Sequence, residues 1–173
     1  MLKSVACGLI AMSCLSVTPV AAQDSRAVRA LVGVCLPYAT RSLSFEKSIR
    51  AARMLEFRRS TDDRAPLDAW ASEIELISRD GNWRIRIEEG SREDEETPVY
   101  AVSCSISSRH ASARELGNLG RRAFNDPTQW AMSADNRWRW ERRTRRPQEY
   151  RLAVEVTEPA EQLPTLTVTG FYY

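Results

Sequence analysis

The arginines and tryptophans of the segment Arg137–Arg146, which reads RWRWERRTRR, have the clearest chemical character in this chain. In a strand, alternate side chains point to opposite faces, so Arg137 and Arg139 would share one face while Trp138 and Trp140 take the other. Guanidinium groups match the geometry of phosphate and carboxylate, and aromatic rings can stack on bases or sugars. The segment therefore predicts an anion-binding hairpin whose candidate residues are Arg137, Trp138, Arg139, Trp140, Arg142, Arg143, Arg145 and Arg146.

Two structural interpretations of this hairpin stay open. Both tryptophans could lie in the core while the arginine stems cover apolar surface and their charged ends remain solvated. Alternatively, the basic hairpin could face the acidic segment 88–96 of the same or a neighbouring molecule. Either arrangement would leave the hairpin without a ligand.

Groups that could perform catalysis or hold a metal are sparse. His110 is the only histidine, and its place beside Arg109 at a strand-to-helix turn is typical of an exposed loop residue. One histidine and two distant cysteines do not supply a zinc site. The acidic segment 88–96 lacks the ligand spacing of a calcium loop, and the seven glycines form no phosphate-binding loop. The sequence thus predicts a protein without metal, cofactor or enzymatic activity.

The first 22 residues have the pattern of a cleaved secretory signal peptide. Lys3 precedes the uncharged apolar stretch Val5–Val17, and small residues at Ala21 and Ala22 provide a cleavage site. The apolar stretch is shorter than the roughly 20 residues that a membrane-spanning helix needs. We therefore expect export by the general secretory route to the periplasm or beyond the cell. Residues 23–173 would remain as one domain without a transmembrane segment.

Two of the four cysteines, Cys7 and Cys14, lie in the signal peptide. The remaining pair, Cys35 and Cys104, is predicted to form a disulfide, because an even number of cysteines in an exported chain is typical of disulfide bonding. Closing a loop of this length would stabilise the fold by about 4 kcal/mol through the entropy of the unfolded chain. Two buried free thiols are the alternative.

Hydrophobic periodicity and turn residues predict three helices and six strands. Val28, Leu31, Val32 and Cys35 should share the inner face of a first helix that begins at Ser25. A second helix is expected over Phe45–Phe57, and a third should begin at the capping box Ser112–Glu115 and run to about Phe124. The acidic segment 89–97 is expected to be a loop. The predicted strands are Ser72–Arg79, Trp83–Glu88, Pro98–Ser107, Arg137–Arg143, Glu149–Thr157 and Thr165–Tyr172.

This order predicts an α+β fold with a mainly antiparallel sheet of about six strands. The strands would form two three-strand meanders, with about three helices packed on one face of the sheet. The second and third helices each precede one meander. A duplicated unit of one helix and three strands would explain that order, and so would an ordinary α+β layout.

The sequence favours a non-enzymatic exported module that binds through the Arg/Trp hairpin. Its partner would be an anionic envelope component or an acidic protein surface, whereas nucleic acid is not expected in that compartment. The formal net charge of +2 selects no partner by itself. Two alternatives remain, a secreted inhibitor of a lysozyme or other hydrolase, and a small enzyme with a cavity between helices and sheet.

Overall fold

The computed structural model describes residues 26–59, 72–94, 97–124, 126–133, 138–144, 150–158 and 162–173. Helix α1 covers residues 26–39 and contains a π-helical turn at Leu31–Cys35. Helix α2 covers Phe45–Met54 and α3 covers Ala113–Ala123. The strands are β1 (Phe57–Arg59), β2 (Glu73–Ser78), β3 (Trp83–Asp94), β4 (Thr97–Ser108), β5 (Ala131–Met132), β6 (Arg139–Thr144), β7 (Tyr150–Thr157) and β8 (Thr165–Tyr172).

The strands form one antiparallel sheet in the order β1-β2-β3-β4-β8-β7-β6-β5. The α+β class and the antiparallel sheet agree with the sequence prediction, but the described residues form eight strands rather than six. The additional strands, β1 and β5, have three and two residues and lie at the two edges. Such short segments contain too few residues to show a period of two, so sequence patterning did not predict them. A helix therefore precedes a meander of four strands, not three, in each half.

One face of the sheet packs against the three helices and contains the core. Along the central strands, alternate residues are apolar and buried on that side, as the pleat of a strand requires. Leu116 and Leu119 of α3 and Ile49 of α2 are likewise buried there. The strand residues of this core include Ile85, Ile87, Val102, Cys104, Ile106, Leu152, Val154, Leu166 and Val168.

The predicted disulfide is confirmed. Cys35 and Cys104 are bonded, with their Cα atoms 4.9 Å apart, and both side chains are fully buried. The bond ties α1 directly to the central strand β4. It therefore fixes the position of α1 on the middle of the sheet.

The predicted capping box at the start of α3 is also present. The backbone N–H of Glu115 donates to the Ser112 hydroxyl at 3.3 Å, and the backbone N–H of Ser112 donates to the Glu115 carboxylate at 2.7 Å. The bond from the Ser112 N–H, together with one that the Ser112 hydroxyl donates to the same carboxylate oxygen at 2.9 Å, favours the ionised carboxylate and so lowers the pKa of Glu115.

Three predictions about local structure were wrong. Val32 is 46 % exposed rather than inward, because the π-helical turn changes the angular spacing of its residues. Helix α2 ends at Met54, and Phe57 begins β1. The segment 89–97 was expected to be a loop, yet β3 continues to Asp94 and β4 begins at Thr97, with Asp94 opposite Thr97. Charged side chains are compatible with a strand whose face is solvated, and Arg92 pairs with Glu88 there.

Candidate functional site

The structure places both tryptophans of the predicted hairpin against α3. Trp140 is 3 % exposed and Trp138 is half-buried. Glycines of α3 make room for the rings, since a Cβ on Gly117 would lie 2.3 Å from the Trp138 ring and one on Gly120 would lie 2.8 Å from the Trp140 ring. The two indoles therefore pack on the helix side of the sheet.

Arg139 lies on the opposite face, which no helix of the described residues covers, and we call it the helix-free face. Its Nε and Nη2 atoms donate to the Glu141 carboxylate at 3.0 and 2.8 Å. The same carboxylate oxygen accepts from Arg151, which is only 5 % exposed, at 3.1 Å. The guanidinium of Arg151 also lies 4.5 Å from the centre of the Phe171 ring. A buried guanidinium such as that of Arg151 is costly unless it is paired, so Glu141 and Phe171 stabilise it in this position on the sheet.

The other arginines of the hairpin are placed only in part. Arg142 lies on the helix side, where its guanidinium is 5.6 Å from the centre of the Trp130 ring and donates to Tyr150 at 3.3 Å. Arg143 lies opposite Arg151 in the register of β6 and β7. Arg137, Arg145 and Arg146 lie outside the described residues.

The helix-free face has a central track of hydroxyl residues. The register places Ser103, Ser105 and Ser107 of β4 opposite Thr169, Thr167 and Thr165 of β8. The hydroxyls of Ser103 and Thr169 hydrogen-bond to each other at 3.2 Å. We call these six residues the hydroxyl track. In the sequence, these residues are the polar positions that alternate with the buried apolar positions of β4 and β8.

Charged residues border the hydroxyl track on both sides. Arg84, Arg86 and Glu88 of β3 line one side, and Glu155 of β7 with Arg139 of β6 lines the other. One continuous row across the sheet runs Arg86, Ser105, Thr167, Glu155, Arg139. Four strand spacings separate Arg86 from Arg139 in this row, which amounts to about 19 Å.

A cleft of about 490 Å³ opens at one end of the hydroxyl track, and we call it the arginine cleft. Its lining contains three arginines and one glutamate, a formal charge of +2 from three positive and one negative group. Arg84 pairs with Glu75 at 3.2 Å, and Arg86 pairs with Glu73 at 2.9 Å and with Glu88 at 3.1 Å, two carboxylates outside the lining. The lining residues are Glu75, Arg84, Arg86, Ser105, Ser107, Arg109, Gln162, Leu163 and Thr165.

Arg109 differs from the other two arginines of this cleft. It follows β4 directly, its side chain is exposed, and it forms no ion pair with any residue in the described ranges. The hydroxyls of Ser105 and Ser107 make no hydrogen bond within the same ranges. The arginine cleft therefore contains one cation and two hydroxyls whose donors are free for a ligand. The proximity of Arg109 to Arg84 and Arg86 depends on strand pairing, so nothing in the sequence distinguishes Arg109 beyond its place beside His110.

A second cleft, of about 510 Å³, lies where the loop after α1 meets β3 and β4. The guanidinium of Arg41 is 5.1 Å from the ring centres of both Tyr100 and Tyr172. Arg41 has a φ of 57°, a left-handed conformation at the end of α1 that glycine usually adopts. The attraction between the guanidinium and the two rings compensates for that backbone strain. These contacts explain the position of Arg41 without a ligand.

Tyr38, which lines this second cleft, and Tyr172, whose ring contacts Arg41 beside it, both have raised pKa values. Tyr38 donates to the Glu89 carboxylate at 3.2 Å, and burial together with that carboxylate raises the pKa of Tyr38. Tyr172 donates to the backbone oxygen of Ala39, and burial raises the pKa of Tyr172 to about 12. Both hydroxyls are therefore hydrogen-bond donors at neutral pH.

The described part of the chain has neither a metal-binding cluster nor a membrane-spanning helix. The described residues contain no group of three or more histidine, cysteine, aspartate or glutamate side chains able to hold a metal ion. Among them, no helix has the length and apolar character to cross a membrane. Comparison of the chain with protein-family models, curated proteins and solved structures finds no match.

Proposed function

We propose that this chain is an exported, non-enzymatic binding protein that recognises an anionic component of the cell envelope with the helix-free face of its sheet. One observation carries the proposal. Arg139 of the predicted hairpin and the three arginines of the arginine cleft lie on the same face of the sheet, which no helix in the described ranges covers, with the half-buried Ser105 and Thr167 between them. An extended anionic ligand could contact both arginine sites at once, which is the usual basis of avidity.

The arginines keep binding capacity although several are paired. A guanidinium carries five N–H donors, and one carboxylate oxygen uses one or two of them. Arg84, for example, directs Nη1 to Glu75 at a distance of 3.2 Å and retains other donors. The pairs also hold the guanidinium groups in place, so these side chains lose less conformational entropy when a ligand binds.

Two observations support export. The leader pattern of residues 1–22 is typical of a secretory signal peptide. The Cys35–Cys104 disulfide suits an oxidising compartment, where such bonds form and persist. Mass spectrometry of protein expressed with its own leader will show whether cleavage follows Ala22.

Co-sedimentation with envelope fragments across a salt series tests the proposed function. The full chain is expressed with its own leader and compared with the double variant Arg109→Ser/Arg139→Ser. A matched control, Arg50→Ser/Arg114→Ser, removes the same charge from exposed positions of α2 and α3. We expect binding that weakens as salt rises, is lost in the first variant and is retained in the control. Equal binding by both variants would refute the site, and no binding by the unaltered protein would refute the function.

A hydrolase inhibitor is the second candidate. On the helix-free face, Arg86 of β3 lies between two carboxylates, Glu73 of β2 and Glu88 of β3. A surface of mixed charge can complement the charges of a protein partner. Titration of the protein against lysozymes and proteases tests this candidate. Dose-dependent inhibition that is lost in the Arg109→Ser/Arg139→Ser variant would support it, and a flat response would remove it.

A further inference from the structure

We infer that the arginine cleft is a site for a phosphoryl group attached to a small hydroxylated carrier, such as glycerol or a sugar. This inference rests on the proposed function, because it names the chemistry that the helix-free face would recognise. It concerns one end of that face only. It can therefore be tested with small molecules, independently of any envelope preparation.

The donors of the cleft converge from separate elements. Arg84 and Arg86 come from β3, Ser105 and Ser107 from β4, and Arg109 from the chain directly after β4. Arg84 lies opposite Ser107 and Arg86 lies opposite Ser105, so each hydroxyl has a guanidinium on the adjacent strand. Donors from several directions suit a tetrahedral group with three or four oxygens better than a planar carboxylate with two.

The charge of the cleft also favours a phosphoryl group. Arg84 is paired with Glu75, and Arg86 is paired with both Glu73 and Glu88, so the positive charge that the described carboxylates leave unpaired is that of Arg109. A phosphate monoester carries a charge of about −1.5 to −2 at neutral pH. Arg109 has no carboxylate partner within the described ranges, so a ligand need not displace one. Its charge is available to the first anion that enters.

Acceptor groups at the edge of the cleft indicate the hydroxylated carrier. The Thr165 hydroxyl donates to the backbone oxygen of Leu163 at 2.8 Å, so it faces a ligand as an acceptor. Glu75 offers a carboxylate oxygen beside Arg84. The volume of about 490 Å³ is in the range of pockets for small organic ligands, larger than an inorganic ion needs. A phosphate ester with neighbouring hydroxyls would use both the donors and these acceptors.

The experiment is a ¹⁵N NMR titration of the exported protein at constant ionic strength, first with inorganic phosphate and then with glycerol 3-phosphate. We expect saturable shifts at the amides of Ser105, Ser107 and Arg109, with tighter binding of glycerol 3-phosphate. Arg109→Ser should weaken both affinities about tenfold or more, as the loss of a charge-assisted hydrogen bond implies. Arg114→Ser, which removes an exposed arginine of α3, should change neither affinity. Shifts that do not saturate, or equal effects of the two variants, would overturn the inference.

A second variant tests the hydroxyl groups without changing any charge. Ser105→Ala/Ser107→Ala should weaken phosphate binding severalfold while its salt dependence stays the same. Unchanged affinity in this variant would overturn the assignment of the two serines as ligand donors. Because alanine is close in size to serine and both side chains are only half-buried, the fold should tolerate this change.

Vesicles identify the source of the phosphoryl group. The protein is pelleted with vesicles of phosphatidylglycerol and phosphatidylcholine in equal parts, with and without glycerol 3-phosphate as competitor. Competed binding supports the site with a lipid headgroup as the source, and glycerol 3-phosphate binding without vesicle binding supports it with a soluble or polymer-borne ester. Phosphate binding without envelope binding would refute only the proposed function. Envelope binding with no phosphate binding would refute only this inference.

Discussion

Replacing Gly170 with alanine should destabilise the protein, although the same change in an open strand position is favourable. Glycine in a strand interior costs about 0.5–1 kcal/mol relative to alanine. At Gly170, however, an added Cβ would lie 2.1 Å from the backbone oxygen of Ala39, where ordinary contact begins at 3.4 Å. The end of α1 would have to move away from β8 by the difference, 1.3 Å.

Helix α1 cannot make that movement freely. The disulfide ties Cys35 to β4 only four residues before Ala39, and Ala39 itself is fully buried. The same carbonyl also accepts the hydrogen bond from the Tyr172 hydroxyl. Overpacking of this kind costs about 1–3 kcal/mol and the lost hydrogen bond about 1 kcal/mol. Because the contact is backbone against backbone, we expect the upper part of this range. After subtraction of the gain from alanine, the loss is about 3 kcal/mol.

Guanidinium unfolding followed by tryptophan fluorescence, with the disulfide intact, measures this effect. Gly90→Ala is the matched control, because Gly90 lies inside β3 and an added Cβ would meet nothing within 4 Å. The control should be more stable than the unaltered protein by about 0.5–1 kcal/mol. If Gly170→Ala unfolds at the same denaturant concentration as Gly90→Ala, the close approach of α1 to β8 is not present and the reasoning is refuted.

Three further predictions concern the bond, the charges and the tyrosines of the sheet. Reducing the Cys35–Cys104 disulfide should lower the free energy of unfolding by about 4 kcal/mol, and an unchanged unfolding midpoint under reductant would contradict this. Glu141→Ala should lower the free energy of unfolding by about 1–3 kcal/mol, because Glu141 pairs with the buried Arg151. Glu73→Ala, which breaks the exposed pair with Arg86, should lower it by less than about 1 kcal/mol. Equal losses of the two variants in denaturant unfolding would show that burial of the pair is unimportant. The raised pKa of Tyr172 favours its neutral form in the folded state, so its contribution to stability is complete below pH 10.0 and is lost as the pH rises towards 12. Tyr172→Phe should reduce this alkaline loss in unfolding measured across that pH range, and an identical slope would argue against it.

Much of the fold could be predicted because each strand carries its own pattern. Trp83, Ile85 and Ile87 alternate with charged residues, and this pattern alone indicates which face of β3 is buried. The capping box at Ser112 was equally readable, since it depends on two residues three positions apart. Edge strands β1 and β5 were not predictable, because two or three residues have no period and pairing across the sheet creates them.

The candidate site was predictable only in outline. The segment of Arg139 and Trp140 predicted a strand with arginines on one face and indoles on the other, and the structure has Trp140 in the core and Arg139 on the helix-free face. The arginine cleft was not predicted. Arg84, Ser107 and Arg109 are ordinary polar residues in the sequence, and they acquire meaning only when β3 and β4 pair.

The sequence by itself determined the α+β class, the pairing of Cys35 with Cys104 and the alternation that buries one face of the sheet. These are local or nearly local properties, because periodicity, caps and cysteine number do not depend on distant partners. Only the tertiary structure decided the strand order, with β4 beside β8, and the place where Arg139 and the arginine cleft share a face. That arrangement depends on which strands pair and in which register, a choice made by packing the whole core beneath three helices.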